Sequence, residues 1–439
     1  MPIFPRCLPA APGGVIAALG PALGPALGTA FGTVLARCGW RSVGGGLGLK
    51  GLRVAVALMG AGLALGSCGQ AVQTGGGLGP AAGPAIDPAG PVAVALLVPS
   101  GSGRSGDLQI AAALENAARL AIADLGGVAE IDLRVLPTAG TAASAAAAAQ
   151  QAVDEGARLI LGPVYAAEAA AAGAAVADEG ITVLSFSNNP SAAGGNVVVL
   201  GQTFAGTAER LARHLAATAT GPVVLAHPLT EDGEAARAAV VAATGRARVA
   251  LVATEPYAFS HEGVVAAVPR IAEQVRQSGA RTLFLTDDSA GALPILSQLL
   301  LEAGVDPATV RMVGLKRWDV PAETLRLPGI QGGWFALPDP DLTAAFGARY
   351  AEAYGRAPLP IAGLAYDGIA AVGGLIGQGR SDAVQRAALG QGTGFAGVNG
   401  IFRILPDGTT ERGLAVVEVR TGRAEIVDPA PRSFAGAGL

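Results

Sequence analysis

The chain has 439 residues, 30 Lys and Arg against 34 Asp and Glu for a net charge of −4, and three cysteines. With 51% hydrophobic and 15% charged residues it is neither disordered nor collagen-like, and its length suits two or three domains with a sizeable core. Three cysteines exclude a disulfide scaffold of this size, and mild acidity with 4% aromatics excludes the basic face and stacking platforms of a nucleic-acid binder.

Residues 1–67 carry Arg6, Arg37, Arg41, Lys50 and Arg53 and no acidic residue. Lys50 and Arg53 flank the start of an apolar run from Val54 to Leu65. A positive region, a short apolar region and small residues after it describe a secretory signal. The run is well short of the roughly 20 residues that span a bilayer as a helix. It closes on Leu65-Gly66-Ser67-Cys68, which resembles the lipobox of bacterial lipoproteins. That resemblance implies cleavage before Cys68 and lipidation of its thiol, so that the membrane is met through a lipid anchor only. Cys38 follows Arg37, a charge misplaced for such processing. Residues 68–90 are rich in Gly, Pro and Ala and read as a flexible tether. Removal of 1–67 takes away five positive charges and no negative ones, leaving 25 basic residues against 34 acidic, a net −9.

From Val92 the pattern alternates strand and helix. Val92–Val98 is a continuous apolar run ended by Pro99-Ser100-Gly101, the mark of a strand covered on both faces. Helical spacing follows from Asp107 to Leu125. Further strands are predicted at Ile131–Leu136, Arg158–Leu161, Ile181–Phe186, Val223–Ala226, Val249–Thr254, Thr282–Leu285 and Arg311–Val313, with helical stretches between them. This succession implies parallel sheets with helices on both faces, and too many units for one comfortable sheet. Two lobes are therefore expected, with a first hinge at Gly201–Gly206 and a return crossing from Gly332 to Pro338. The tail from Phe395 to Val427 reads as a meander of short strands turning at Pro406-Asp407-Gly408.

Residues able to carry chemistry are sparse. Gly101-Ser102-Gly103-Arg104-Ser105-Gly106 matches a dinucleotide-binding glycine pattern between strand and helix. The second strand, however, ends at Leu136-Pro137-Thr138 with no acidic residue for a ribose, which argues against such a cofactor. His214, His227 and His261 stand far apart without Cys or paired-carboxylate company, so no metal or catalytic centre is expected, and His227 reads as a rim residue. Asp287-Asp288 follows a strand on a loop before a helix, where N-capping is the plain role. No nucleophile elbow or zinc-protease helix is present, so an enzyme is disfavoured and no cofactor is expected.

Polar residues at strand ends point instead to a ligand cleft. Candidates are Ser102 in the glycine loop, Tyr165 after Gly162-Pro163, Ser187, Asn188 and Asn189 after the Ile181 strand, Asp287, and Lys316 and Trp318 after the Arg311 strand. Short hydroxyl and amide groups in such places suit a small polar ligand. Lys316 is the only lysine after the signal, and Arg317 beside it doubles the positive field toward an anion.

The order Val94-Ala95-Leu96-Leu97-Val98-Pro99, Leu161-Gly162-Pro163, Asp178-Glu179-Gly180-Ile181 and Ser185-Phe186-Ser187 resembles the leucine/isoleucine/valine-binding family of type I periplasmic binding proteins. Ala365-Tyr366-Asp367-Gly368, Phe395-Ala396-Gly397-Val398-Asn399-Gly400 and Asp407-Gly408 extend that likeness to about residues 91–420. The resemblance implies two α/β lobes joined by three interlobe crossings and closing on a small polar solute, amino-acid-like or anionic, for an ABC permease. It divides the chain into 91–203 plus about 338–395 for the first lobe and 204–337 plus about 396–427 for the second. The family's hydroxyl contact falls near Ala166, which cannot donate, and its ammonium-holding carboxylate falls at Lys316, a reversed charge. Penicillin-binding-protein activator lipoproteins share this fold and give the alternative: regulation of peptidoglycan synthesis through contacts with a penicillin-binding protein. Either reading implies a periplasmic or extracytoplasmic, membrane-anchored lipoprotein, at the outer membrane if the host is Gram-negative.

Overall fold

The computed structural model describes residues 83–434; the expected leader, Cys68 and the first part of the expected tether lie outside the described residues. The end of the expected tether is docked. Ile86 N–H donates to Ser381 O at 2.8 Å, the Gln385 amide donates to Gly83 O at 2.8 Å, and Ile86 packs on the first core.

The first sheet is parallel, in the order β2 (Ile131–Pro137), β1 (Val92–Val98), β3 (Leu159–Leu161), β4 (Thr182–Ser185), β5 (Val197–Val199). Strand β1 needs no polar face because both faces are covered. Val94, Leu96 and Val98 pack with α1 (Ser105–Asp124), while Ala95 and Leu97 pack with the alanine-rich α2 (Ala142–Asp154) and α3 (Ala166–Ala175). Since β2 and β3 flank β1, the loops after β1 and β3 diverge to opposite faces and open a crevice at the carboxyl edge. Gly162 makes the turn there: its φ is 88°, and a Cβ would sit 2.2 Å from Leu97 O.

The chain leaves this lobe at Leu200–Thr203, and the Thr203 hydroxyl accepts from Gly206 N–H at 3.2 Å to cap α4 (Phe204–Thr218). Next come β6 (Val223–Pro228), α5 (Glu231–Arg246), β7 (Leu251–Tyr257), α6 (His261–Ser278), β8 (Thr282–Leu285), α7 (Leu293–Glu302), β9 (Arg311–Gly314) and β10 (Trp334–Pro338). Residues 332–338, expected as a crossing, thus mostly form a strand: Trp334–Leu337 are buried between β9 and the tail. The return comes immediately after it, where Asp339 caps α8 (Pro340–Tyr354) by accepting from Asp341 and Leu342 N–H.

Helix α9 (Ala362–Gly377) packs on α1, and α10 (Arg386–Leu389) follows. The meander divides between the lobes. Strands β11 (Phe395–Gly397), β12 (Gly400–Ile404) and β13 (Thr410–Arg412) form a small antiparallel sheet. Strands β14 (Leu414–Arg420) and β15 (Arg423–Asp428) extend the second sheet, ordered β15-β14-β10-β9-β8-β6-β7. Val398, Phe402 and Ile404 belong to the first core and Leu414 to the second. We therefore place the third crossing at Gly413, later than the boundary near residue 396 expected from the sequence.

Candidate functional site

A cleft of about 550 Å³ opens where the three crossings meet the carboxyl edge of the first sheet. Gly201 and Gln202 of the first crossing, Pro338 of the second and Arg412 of the third line its base. Val164, Tyr165, Phe186, Ser187 and Asn188, from the ends of β3 and β4, form one wall. Pro358-Leu359-Pro360-Ile361, between α8 and α9, forms an apolar wall with Phe346 and Leu364. Arg317 represents the second lobe, and none of the described lining residues is acidic.

Of the residues expected from the sequence, Tyr165, Ser187 and Asn188 come together here. Ser187 is buried and its hydroxyl accepts from Asn189 N–H at 3.1 Å. Asn189 lies outside the lining and accepts from Ser191 N–H at 2.9 Å, capping a short turn. Ser102 faces its own helix, where its hydroxyl accepts from Arg104 N–H at 3.2 Å and hydrogen-bonds Asp107.

The second-lobe candidates stand apart from this cleft. Lys316 sits 3.4 Å from Asp288 and 5.8 Å from the Phe204 ring centre, while its neighbour Arg317 lines the cleft. Trp318 is 0% exposed in the second core, 5.8 Å from the Phe335 ring, because the polar turn after β9 folds its aromatic residue back onto the sheet. Asp287 is buried and accepts from the Tyr257 hydroxyl. Burial, with Asp287 beside it, pushes the Tyr257 phenol well above its usual range. Only Asp288 does local turn duty, accepting from Ala290 and Gly291 N–H. His227, expected at the rim, is buried at the end of β6, and burial holds its pKa below the usual imidazole range. Among the described residues no group of three or more His, Cys, Asp or Glu could hold a metal ion.

Two arginines that line the cleft are held by carboxylates behind them. Arg317 Nε donates to Asp319 at 2.9 Å. Arg412 Nη1 donates to Asp367 at 2.8 Å and its Nε to Leu200 O at 3.1 Å, which ties the third crossing to the first. The Arg412 side chain is 3% exposed and its Nη2 has no partner. Burial pushes the Asp367 carboxyl up; Arg412 and the Val398 N–H pull it down. The sequence carried a signal for Arg412, a charge set among short strands, but nothing in it shows that those strands end under the cleft. The sequence holds no local signal that Phe346 and the Pro358–Ile361 stretch reach the cleft, because that depends on how α8 and α9 pack.

A polar cluster backs the Tyr165 wall. The Tyr165 hydroxyl donates to Asp107 at 2.6 Å, and Arg104 pairs with the other Asp107 oxygen at 2.6 Å. Burial drives the Asp107 carboxyl up, but hydrogen bonds from Tyr165, Ser102 and Arg104 outweigh it and hold the group below its usual range.

A family model described as "Periplasmic binding protein" matches residues 91–424. The chain belongs to the periplasmic binding protein family. Its two-lobed α/β architecture is that of solved members. A branched-chain amino acid ABC transporter periplasmic ligand-binding protein from Burkholderia xenovorans is 18% identical, covers 78% of this chain and 96% of its own, with a TM-score of 0.64. An ABC transporter substrate-binding protein from Desulfitobacterium hafniense in complex with Leu is 17% identical, over 77% of this chain and 100% of its own, with a TM-score of 0.58. A solute-binding protein from R. palustris in complex with benzoate is 16% identical, over 79% and 98%, with a TM-score of 0.53. No curated protein matches the chain. The family and fold expected of this binding protein from its sequence are both borne out.

Proposed function

We propose that this binding protein is an extracytoplasmic, lipid-anchored receptor that takes a small carboxylate with an apolar body and presents it to an ABC permease. The observation that carries the reading is the cleft lining, which holds two arginines, Arg317 and Arg412, and an apolar wall, with no acidic side chain among the described lining residues. An α-amino acid needs an anion for its ammonium, and a buried ammonium without one is costly. A carboxylate, by contrast, meets guanidinium donors that form strong charge-assisted bonds. The benzoate-bound relative shows that the fold can serve such a ligand, and the leucine-bound one supplies the competitor to test against. The secretory pattern and the Leu65–Cys68 box support the anchor and the location. The alternative, an activator of a cell-wall synthase, does not call for a cleft of this lining.

Calorimetric titration of residues 69–439 with benzoate and with leucine tests the reading. Benzoate is expected to bind the tighter of the two, and Arg317→Ala to weaken it by about tenfold, the loss of one charge-assisted hydrogen bond. Tighter binding of leucine, or benzoate affinity unchanged by Arg317→Ala, overturns it.

A further inference from the structure

Tyr165 stands between the cleft and the polar cluster behind it. Its hydroxyl donates to Asp107 at 2.6 Å, and Asp107 is buried. The Arg104 guanidinium pairs with Asp107 and lies 5.1 Å from the Tyr165 ring centre, so the phenol is held by both neighbours. A phenol has one proton to donate and lone pairs to accept with. Asp107 is held below the usual carboxylate range, and its hydrogen bond raises the Tyr165 phenol, so the proton stays on Tyr165 and points at Asp107. What Tyr165 keeps for a ligand is an acceptor.

From this juxtaposition we infer that Tyr165, positioned by Asp107, selects ligands that carry a hydrogen-bond donor besides the carboxylate: hydroxylated aromatic or similar carboxylates rather than plain ones. The inference rests on the carboxylate reading of the cleft and adds the second polar group of the ligand. A hydroxyl gives its proton to Tyr165 Oη. A ligand without a donor leaves that oxygen desolvated and unpaired. A second carboxylate places a negative charge against that lone pair, and Arg104, already paired with Asp107, leaves no net positive charge behind it to offset the repulsion. Discrimination thus comes as much from an unmet acceptor as from a made bond.

The test is titration calorimetry on residues 69–439 with benzoate, 3- and 4-hydroxybenzoate, the size-matched 3- and 4-fluorobenzoates, and terephthalate. At least one hydroxybenzoate should bind about tenfold tighter than its fluoro partner, the worth of one hydrogen bond, and terephthalate should bind more weakly than benzoate. Tyr165→Phe should bring each hydroxy-to-fluoro ratio close to one. The wild-type ratios stand by themselves should that variant fold poorly. Equal hydroxy and fluoro affinities in a protein that binds benzoate overturn this inference alone. A preference that survives Tyr165→Phe also overturns it. If no aromatic carboxylate binds, the carboxylate reading fails and takes this inference with it.

Discussion

Glu168, in the first turn of α3, is 1% exposed; one carboxyl oxygen accepts from Thr138 at 3.1 Å and the other has no partner. Burial raises its pKa to about 7, helped by Asp107 and opposed by the Thr138 bond and Arg104. The folded protein therefore keeps a proton between about pH 4.5 and 7 that the unfolded chain has released. The native state binds the extra proton, so stability falls as pH rises through that window, by about 3 kcal/mol. Urea unfolding at pH 5 and pH 8 should show this decline in the wild type and lose most of it in Glu168→Gln. The Asp367–Arg412 pair makes a different demand. Both side chains are nearly fully buried, so Asp367→Ala strands a guanidinium and should cost about 3–5 kcal/mol in the same assay. Neither group's situation was legible in the sequence. Glu168 reads there as an ordinary first-turn acid of an alanine-rich helix, and its burial comes from how α3 seats against the ends of β1 and β2.

The elements that matter are those whose ends meet the cleft. Strands β3 and β4 were predicted from short apolar runs, and the polar residues after them, Tyr165, Ser187 and Asn188, line it. A buried strand between helices has both a sequence signature and a fixed exit point, which is why this edge was readable. The turn after β9 was not. There Gly314 leaves room for Trp318, whose ring would lie 2.3 Å from a Cβ at that position. Trp318→Ala should accordingly cost about 3–5 kcal/mol in stability, as a large core truncation. Benzoate affinity measured on the folded fraction should stay within about twofold of wild type. A large change in affinity would return Trp318 to the ligand site.

At the level of the whole molecule, two lobes joined by three crossings bring Gly201, Pro338 and Arg412 under one cleft. A ligand bound there would favour the folded form. At about one hundred times its dissociation constant it should add about 2.7 kcal/mol to unfolding stability. A denaturation midpoint that does not move with a saturating titrated ligand would contradict binding to the native cleft.

What the sequence determined by itself is the alternation of buried strands and helices and the family, because central parallel strands leave continuous apolar runs and the family's motifs keep their order. The proposed addressing segment likewise rests on the sequence alone, on charge, length and small residues; its removal would turn the near-neutral chain into one of net −9. Only the tertiary structure decided the site. A one-residue step along the turn after β9 exchanges Lys316 for Arg317, and a strand near the end of the chain supplies Arg412 beneath residues fixed more than two hundred positions earlier. Side-chain direction in loops and long-range register have no local signature, and in this protein they set the charge of the cleft.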